Sequence, residues 1–273
     1  MERLFFRQRQ VELGKTEADG RQGFSRQLNI GVTGLGRSVG TTFVGTALAF
    51  YLRDQGKEVS FCQCLTPSKA SQLLYDEVSM EQRFLRRNFC DVYEIIRKGM
   101  TLNGVKGKGG RVNIEEGISW ILPVSDSKED LTESQQARLL TIPRGEVCIF
   151  DFEADYQWNS LLVDMDVIIV VVDPLPSKMI HDKERFRFLK KLEMAGCPVI
   201  WVVNRVNDGV NMRQVKGYLK TNQIVQIPAF SVASMYRCEY SCRFPWEDVE
   251  IRRKMMEIFT FLFQKMSKYS IML

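Results

Sequence analysis

The sequence predicts an α/β protein, a doubly wound, mainly parallel sheet with helices on both faces, and three observations predict it. Apolar runs of strand length recur along the chain, charged segments of helical character lie between them, and the first run passes directly into a glycine-rich turn and a helix. Runs this apolar belong to strands covered on both faces.

After a polar, arginine-dotted leader (1–27), the first strand is Leu28 to Gly34, LNIGVTG, and the helix after its turn is TTFVGTALAFYLRDQGK. Further strands are expected over Glu58 to Cys64, Ile118 to Pro123, Val147 to Phe152, the β-branched run Asp166 to Val172, and Pro198 to Val203. A charged helix from about Lys178 to Ala195 precedes the last of these. Between Phe84 and Glu116 the pattern is irregular. A helix near Asp91 to Lys98 gives way to NGVKGKGGRVN (103–113), whose four glycines and three cations read as a basic loop, either solvated or touching phosphates or a partner. At the end, Ile251, Met255, Ile258, Phe259, Leu262 and Met266 recur at helical spacing beside Arg252, Arg253, Lys254 and Lys265. That amphipathic helix (251–273) either packs on the sheet or lies on a membrane surface. Residues 28–273 are expected to form a single domain.

Composition bounds the function. The 273 residues are 45% apolar and 26% charged, enough for one large core. No stretch approaches the roughly 18 apolar residues of a membrane span, and the opening MERLFFRQRQ is charged where a signal peptide is apolar. A cytoplasmic protein is expected, peripheral at a membrane if the last helix serves as an anchor. Seven cysteines, at 62, 64, 90, 148, 197, 238 and 242, are read as reduced thiols. Cys238 and Cys242 have no second pair, and His181 is the one histidine, so no metal cluster is expected. The net charge of +5 is concentrated near the chain end, where an anionic surface would be met.

The chemistry gathers in Thr33-Gly34-Leu35-Gly36-Arg37-Ser38-Val39-Gly40-Thr41-Thr42, between the first strand and the first helix. A glycine-rich turn there lets backbone amides converge on an anion, and the helix N-terminus adds its positive dipole end, so phosphate is the natural ligand. The full pattern G-x-x-x-x-G-K-[ST] is not met: Gly34 lies six before Gly40, and Thr41 stands where the lysine belongs.

The segment Gly36 to Thr42 resembles the deviant Walker A motif, K-G-G-V-G-K-T, of the ParA/MinD family, keeping the spacing from Val39 to Thr42. Four further elements resemble that family in order: the strand GEVCIFD ending at Asp151, the strand DVIIVVVDP from Asp166 to Pro174, Val202-Val203-Asn204-Arg205, and Ile227-Pro228. The resemblance spans Leu28 to about Phe263 and implies a P-loop NTPase-like, Rossmann-like three-layer sandwich. It also implies ATP or ADP, with or without Mg2+, bound at Gly36, Arg37, Ser38, Val39, Gly40, Thr41 and Thr42. Asn204 and Pro228 would then lie beside the base, Arg205 would also belong to the nucleotide site, and Thr42 and Asp151 would hold the magnesium. A homodimer or a protein partner is implied as well; a nucleic-acid partner rests on analogy and the basic tail alone.

The departures bear on activity. The two lysines of the family motif correspond to Gly36 and Thr41, and the aspartate ending the second strand corresponds to Gln63 or a neighbour. Phosphoryl transfer depends on positioning and charge, so a site without them is expected to turn over little ATP. After Asp151 the chain reads Phe152-Glu153-Ala154-Asp155 in place of a glycine turn; Asp151 is either a strand-end cap beside two solvated acids or a retained metal partner. Three functions follow: a nucleotide-binding switch with weak or absent hydrolysis, a pseudo-ATPase scaffold that binds no nucleotide, or, on the basic tail and family analogy alone, a membrane- or DNA-associated positioning ATPase.

Overall fold

A computed structural model describes residues 27–66, 90–100, 113–123 and 129–266. Most of the leader, the basic loop from 103 to 112 and the tail beyond 266 lie outside these residues, so the expectations placed on them do not meet the structure.

Eight strands form one sheet in the order β3-β4-β2-β5-β1-β6-β7-β8. They are β1 (Leu28–Gly34), β2 (Val59–Cys64), β3 (Ile114–Glu115), β4 (Ile118–Ile121), β5 (Val147–Phe152), β6 (Val167–Val172), β7 (Val199–Val206) and β8 (Ile224–Pro228). All pairings are parallel except β3 with β4. Alternate residues of the buried strands enter two separate cores. Ile30, Val32, Phe61, Ile149, Ile169 and Val202 face one side, and Cys62, Phe150, Ile168, Val170 and Trp201 face the other.

The first side is covered by α1 (Thr41–Asp54) and by the long last helix. Helix α1 is buried continuously from Val44 to Leu52, which explains why its sequence is apolar nearly all round: the sheet lies beneath it and another helix above. The second side carries α2 (Val92–Arg97), α3 (Glu133–Leu139), α4 (Asn159–Leu162), α5 (Pro176–His181), α6 (Lys183–Met194) and α7 (Met212–Leu219). Then come α8 (Val232–Tyr240) and α9 (Val249–Met266). The result is the expected three-layer α/β sandwich.

Three local expectations change. The single helix expected from Lys178 to Ala195 is two helices, because Asp182 leaves helical geometry and its carboxylate caps α6 by accepting from the amide of Arg185. The last expected strand continues to Val206 through a register shift between Val203 and Val206, with Arg205 in a left-handed conformation at φ 62°. Helix α9 starts at Val249, and Ile251, Met255, Phe259 and Leu262 are fully buried in the first core. Its apolar face is thus core packing. Tyr51 of α1 stacks on Phe263 at 5.5 Å, while Arg252 of α9 pairs with Asp54 of α1 at 2.8 Å. No helix among the described residues is long and apolar enough to cross a membrane.

Candidate nucleotide site

Strand β1 lies between β5 and β6, at the point where the connections change direction, and the crevice beyond the strand carboxyl ends opens there. The glycine-rich loop 35–40 occupies that crevice. Its shape is dictated by two glycines. A Cβ on Gly34 would lie 2.4 Å from the carbonyl oxygen of Gly36, and one on Gly40 would lie 2.3 Å from Nδ2 of Asn204. Gly40 also sits at φ 94°, where a side chain is strained, and Ser38 shares the left-handed region at φ 55°. Among the described residues, no protein group accepts a hydrogen bond from the amides of Gly40, Thr41 or Thr42 at the start of α1. These amides and the helix dipole offer an anion site.

Asn204 ties this loop to β7. Its Nδ2 donates to the carbonyl of Val39 at 2.9 Å, and its Oδ1 accepts from the amide of Arg205 at 2.9 Å. The side chain is buried, so its first task is to hold the loop, with one donor and one lone pair left over for a ligand. Arg185 anchors the base of the loop from α6: fully buried, it donates through Nε to the carbonyl of Gly34 at 2.7 Å and through Nη2 to Oγ1 of Thr33 at 2.5 Å. Burial lowers its pKa.

On the β5 side, Thr42 donates through Oγ1 to Oδ2 of Asp151 at 2.6 Å. Asp151 is not a strand-end cap, since it lies within β5 and is buried. Burial, opposed by the Thr42 hydrogen bond and helped by nearby Glu153, pushes its carboxyl up to about 7. A buried carboxylate so placed, beside a hydroxyl and with no cation paired to it among the described residues, fits one edge of a Mg2+ site, because that ion usually takes few protein ligands and keeps waters or phosphate oxygens. No group of three or more His, Cys, Asp or Glu among the described residues forms an all-protein metal site. Gln63 stands beside Asp151 in register across β2 and β5, where the family's second-strand acid is expected.

Glu153 and Asp155 are not the solvated acids one reading expected. Arg37 reaches both, at 3.8 Å and 3.3 Å, and Glu153 also accepts from the amide of Thr66 at 3.0 Å. Arg37 is thereby turned toward the acidic side of the loop.

On the other side of the loop lies a cleft of about 830 Å3 lined by Gly40, Phe43, Asp173, Asn204, Arg205 and Pro228 among others. Phe43 and Phe230 meet edge-to-face at 5.8 Å in its wall, and the hydroxyl of Tyr218 closes another part by donating to the carbonyl of Met179 at 2.6 Å. The structure therefore brings Gly40, Asn204, Arg205 and Pro228 to one cleft and Thr42 and Asp151 together beside it. Gly36, Arg37, Ser38, Val39 and Thr41 follow in the loop and helix start without lining the cleft. Sequence reasoning missed Asp173 and Lys178. Asp173, at the mouth of β6, is 2% exposed and pairs with Arg205 at 2.7 Å and Lys178 at 3.4 Å. The D-P dipeptide after a buried strand was the available signal for the acid; Lys178 was read only as the start of a charged helix.

By sequence, no family model and no curated protein matches the chain. By shape the likeness is extensive. The MinC:MinD cell division protein complex of Aquifex aeolicus aligns with TM-score 0.64 and 14% identity over 87% of this chain and 96% of the other. A ParA family ATPase from Chlorobium tepidum TLS aligns with TM-score 0.62 and 11% identity over 85% and 97%. The septum site-determining protein MinD of Pyrococcus horikoshii OT3, complexed with Mg-ADP, aligns with TM-score 0.60 and 12% identity over 85% and 93%. With eight strands in a mainly parallel sheet, the glycine loop at its switch point and neighbours of this kind, the chain has the ParA/MinD-type P-loop fold.

Proposed function

We propose that the protein is a nucleotide-binding switch that takes ATP or ADP at the glycine-rich loop, with Mg2+ beside Thr42 and Asp151, and hydrolyses ATP weakly or not at all. The observation that carries this reading is the retained 2.6 Å contact between Thr42 and Asp151 at the foot of a loop whose helix-start amides meet no acceptor among the described residues and whose flank opens into the cleft. Phosphates would meet the amides of residues 36–42, and the base would lie toward Asn204 and Pro228. The Pyrococcus neighbour's complex with Mg-ADP supports the ligand class. Magnesium, when bound, would neutralise the β- and γ-phosphates. The chain's own part is to hold that ion through Thr42 and Asp151 and to orient the nucleotide.

Weak turnover follows from what occupies the charged positions. Thr41 brings no cation to the phosphates, Gln63 cannot serve as a carboxylate, and Arg37 is engaged by Glu153 and Asp155. Losing one such electrostatic group commonly costs about two to three orders of magnitude. Occupancy without rapid hydrolysis suffices for a switch that controls dimerisation or a partner, as the MinC:MinD assembly of the Aquifex neighbour suggests. The same three residues favour a second reading, a pseudo-ATPase scaffold that binds no nucleotide.

Thermal unfolding separates the two. Ligand at about 100 times its Kd stabilises a native state by about 2.7 kcal/mol, so millimolar Mg-ADP or Mg-ATP should raise Tm by several degrees in the wild type. It should leave a Gly40→Arg variant, whose loop is blocked, unmoved. An unshifted wild-type Tm would favour the scaffold.

A further inference from the structure

We infer that Lys178 of α5 and Arg205 of β7 form a clamp for the polyphosphate end of the nucleotide, delivering the positive charge that position 41 lacks. The inference rests on the nucleotide reading above. Both cations reach the same atom of the loop: Nζ of Lys178 and Nη1 of Arg205 each donate to the carbonyl of Ser38 at 3.2 Å. Both also pair with Oδ2 of Asp173, so two cations share one buried carboxylate and the cluster keeps a net positive charge.

Their donors are not exhausted. Nε and Nη2 of Arg205 have no protein partner among the described residues, and the ammonium of Lys178 has a third proton to give. Side-chain exposures of 33% for Lys178 and 50% for Arg205 leave both accessible, and Arg205 lines the cleft beside Gly40. Acids (Asp151, Glu153, Asp155) stand on the opposite, β5 side of the loop. The two sides sort the parts of a metal nucleotide, cation toward Asp151 and phosphate oxygens toward Lys178 and Arg205. Asp173 fixes both cations in advance, which reduces the side-chain entropy lost on binding.

The test is calorimetric titration of the full chain with adenosine, ADP and ATP in wild type, Lys178→Gln, Arg205→Gln and Lys178→Arg, with Tm recorded for each. We expect each Gln variant to lose about tenfold to a hundredfold in ATP affinity, in keeping with a charge-assisted contact. Adenosine affinity should change by less than about twofold on the same reasoning, and Lys178→Arg should retain most ATP binding. Unchanged ATP affinity in both Gln variants overturns the clamp while leaving the nucleotide reading intact. Parallel loss of ATP and adenosine also overturns it, because the cations would then serve only to shape the Ser38 turn. If Lys178→Gln fails to fold, Arg205→Gln and Lys178→Arg decide. A wild type silent toward all three ligands overturns the nucleotide reading itself, before any variant is compared.

Discussion

At Gly40 the chain is held at φ 94° with its missing Cβ pointing at the amide of Asn204, so one atom of side chain costs both backbone strain and the bond that anchors the loop. Gly40→Ala is expected to destabilise by about 1–3 kcal/mol, measurable as a lowered denaturant midpoint with an unchanged slope. Asp151 acts in the opposite sense. Its carboxyl is raised from the unfolded value of 3.8 to about 7, so the native state binds more protons than the unfolded state between those values. The stabilisation is complete below the lower value and is lost as pH rises through the upper one. Asp151→Asn should therefore raise unfolding free energy at pH 8 by on the order of 2 kcal/mol, flatten its decline between pH 4 and 7, and remove the magnesium dependence of nucleotide binding. A variant less stable than wild type at pH 8 would contradict the buried-charge account. At this scale the glycine-rich turn and helix start at Gly40 and Thr42 were legible from the sequence, while Asp151 and Asn204 came from the family resemblance. Lys178 was not legible, because its bond to Ser38 joins residues 140 apart and depends on where α5 starts.

Among the elements, legibility followed apolar run length. Strand β6 is a continuous apolar run and β1, β2 and β5 are apolar runs broken by one or two polar residues; all four appeared within a residue of their expected bounds. The two-residue β3 and the five-residue β8, with exposed Gln226 in its middle, have too little pattern to announce a strand. Periodicity likewise could not distinguish a core helix from a membrane-lying one in the last segment. Packing does: with Ile251, Met255, Phe259 and Leu262 against α1 and the sheet, the apolar face meets a membrane only if α9 undocks. Phe259→Ala, which leaves a void beside Tyr51, should cost about 3–5 kcal/mol, whereas Val249→Ser at the exposed start of α9 should fall within about 0.5 kcal/mol of wild type in the same denaturation experiment.

Across the whole molecule, a single topological fact organises the candidate site. Placing β1 between β5 and β6 sets the loop between the acids at and just after the end of β5 and, on the other side, the cations Lys178 of α5 and Arg205 of β7, with the cleft on the cationic side. On the proposed reading this arrangement keeps a place for a nucleotide, while Thr41 and Gln63 stand where the family resemblance implies a lysine and an acid. Binding and turnover are expected to part company. Calorimetric titration of the full chain with Mg-ATP, followed by phosphate release in the same sample, tests that separation most directly. The account predicts micromolar affinity with release slower by at least about a hundredfold than the ~1 per second at the low end of ordinary enzymes. No heat at millimolar ATP, or release at an ordinary enzymatic rate, would contradict it.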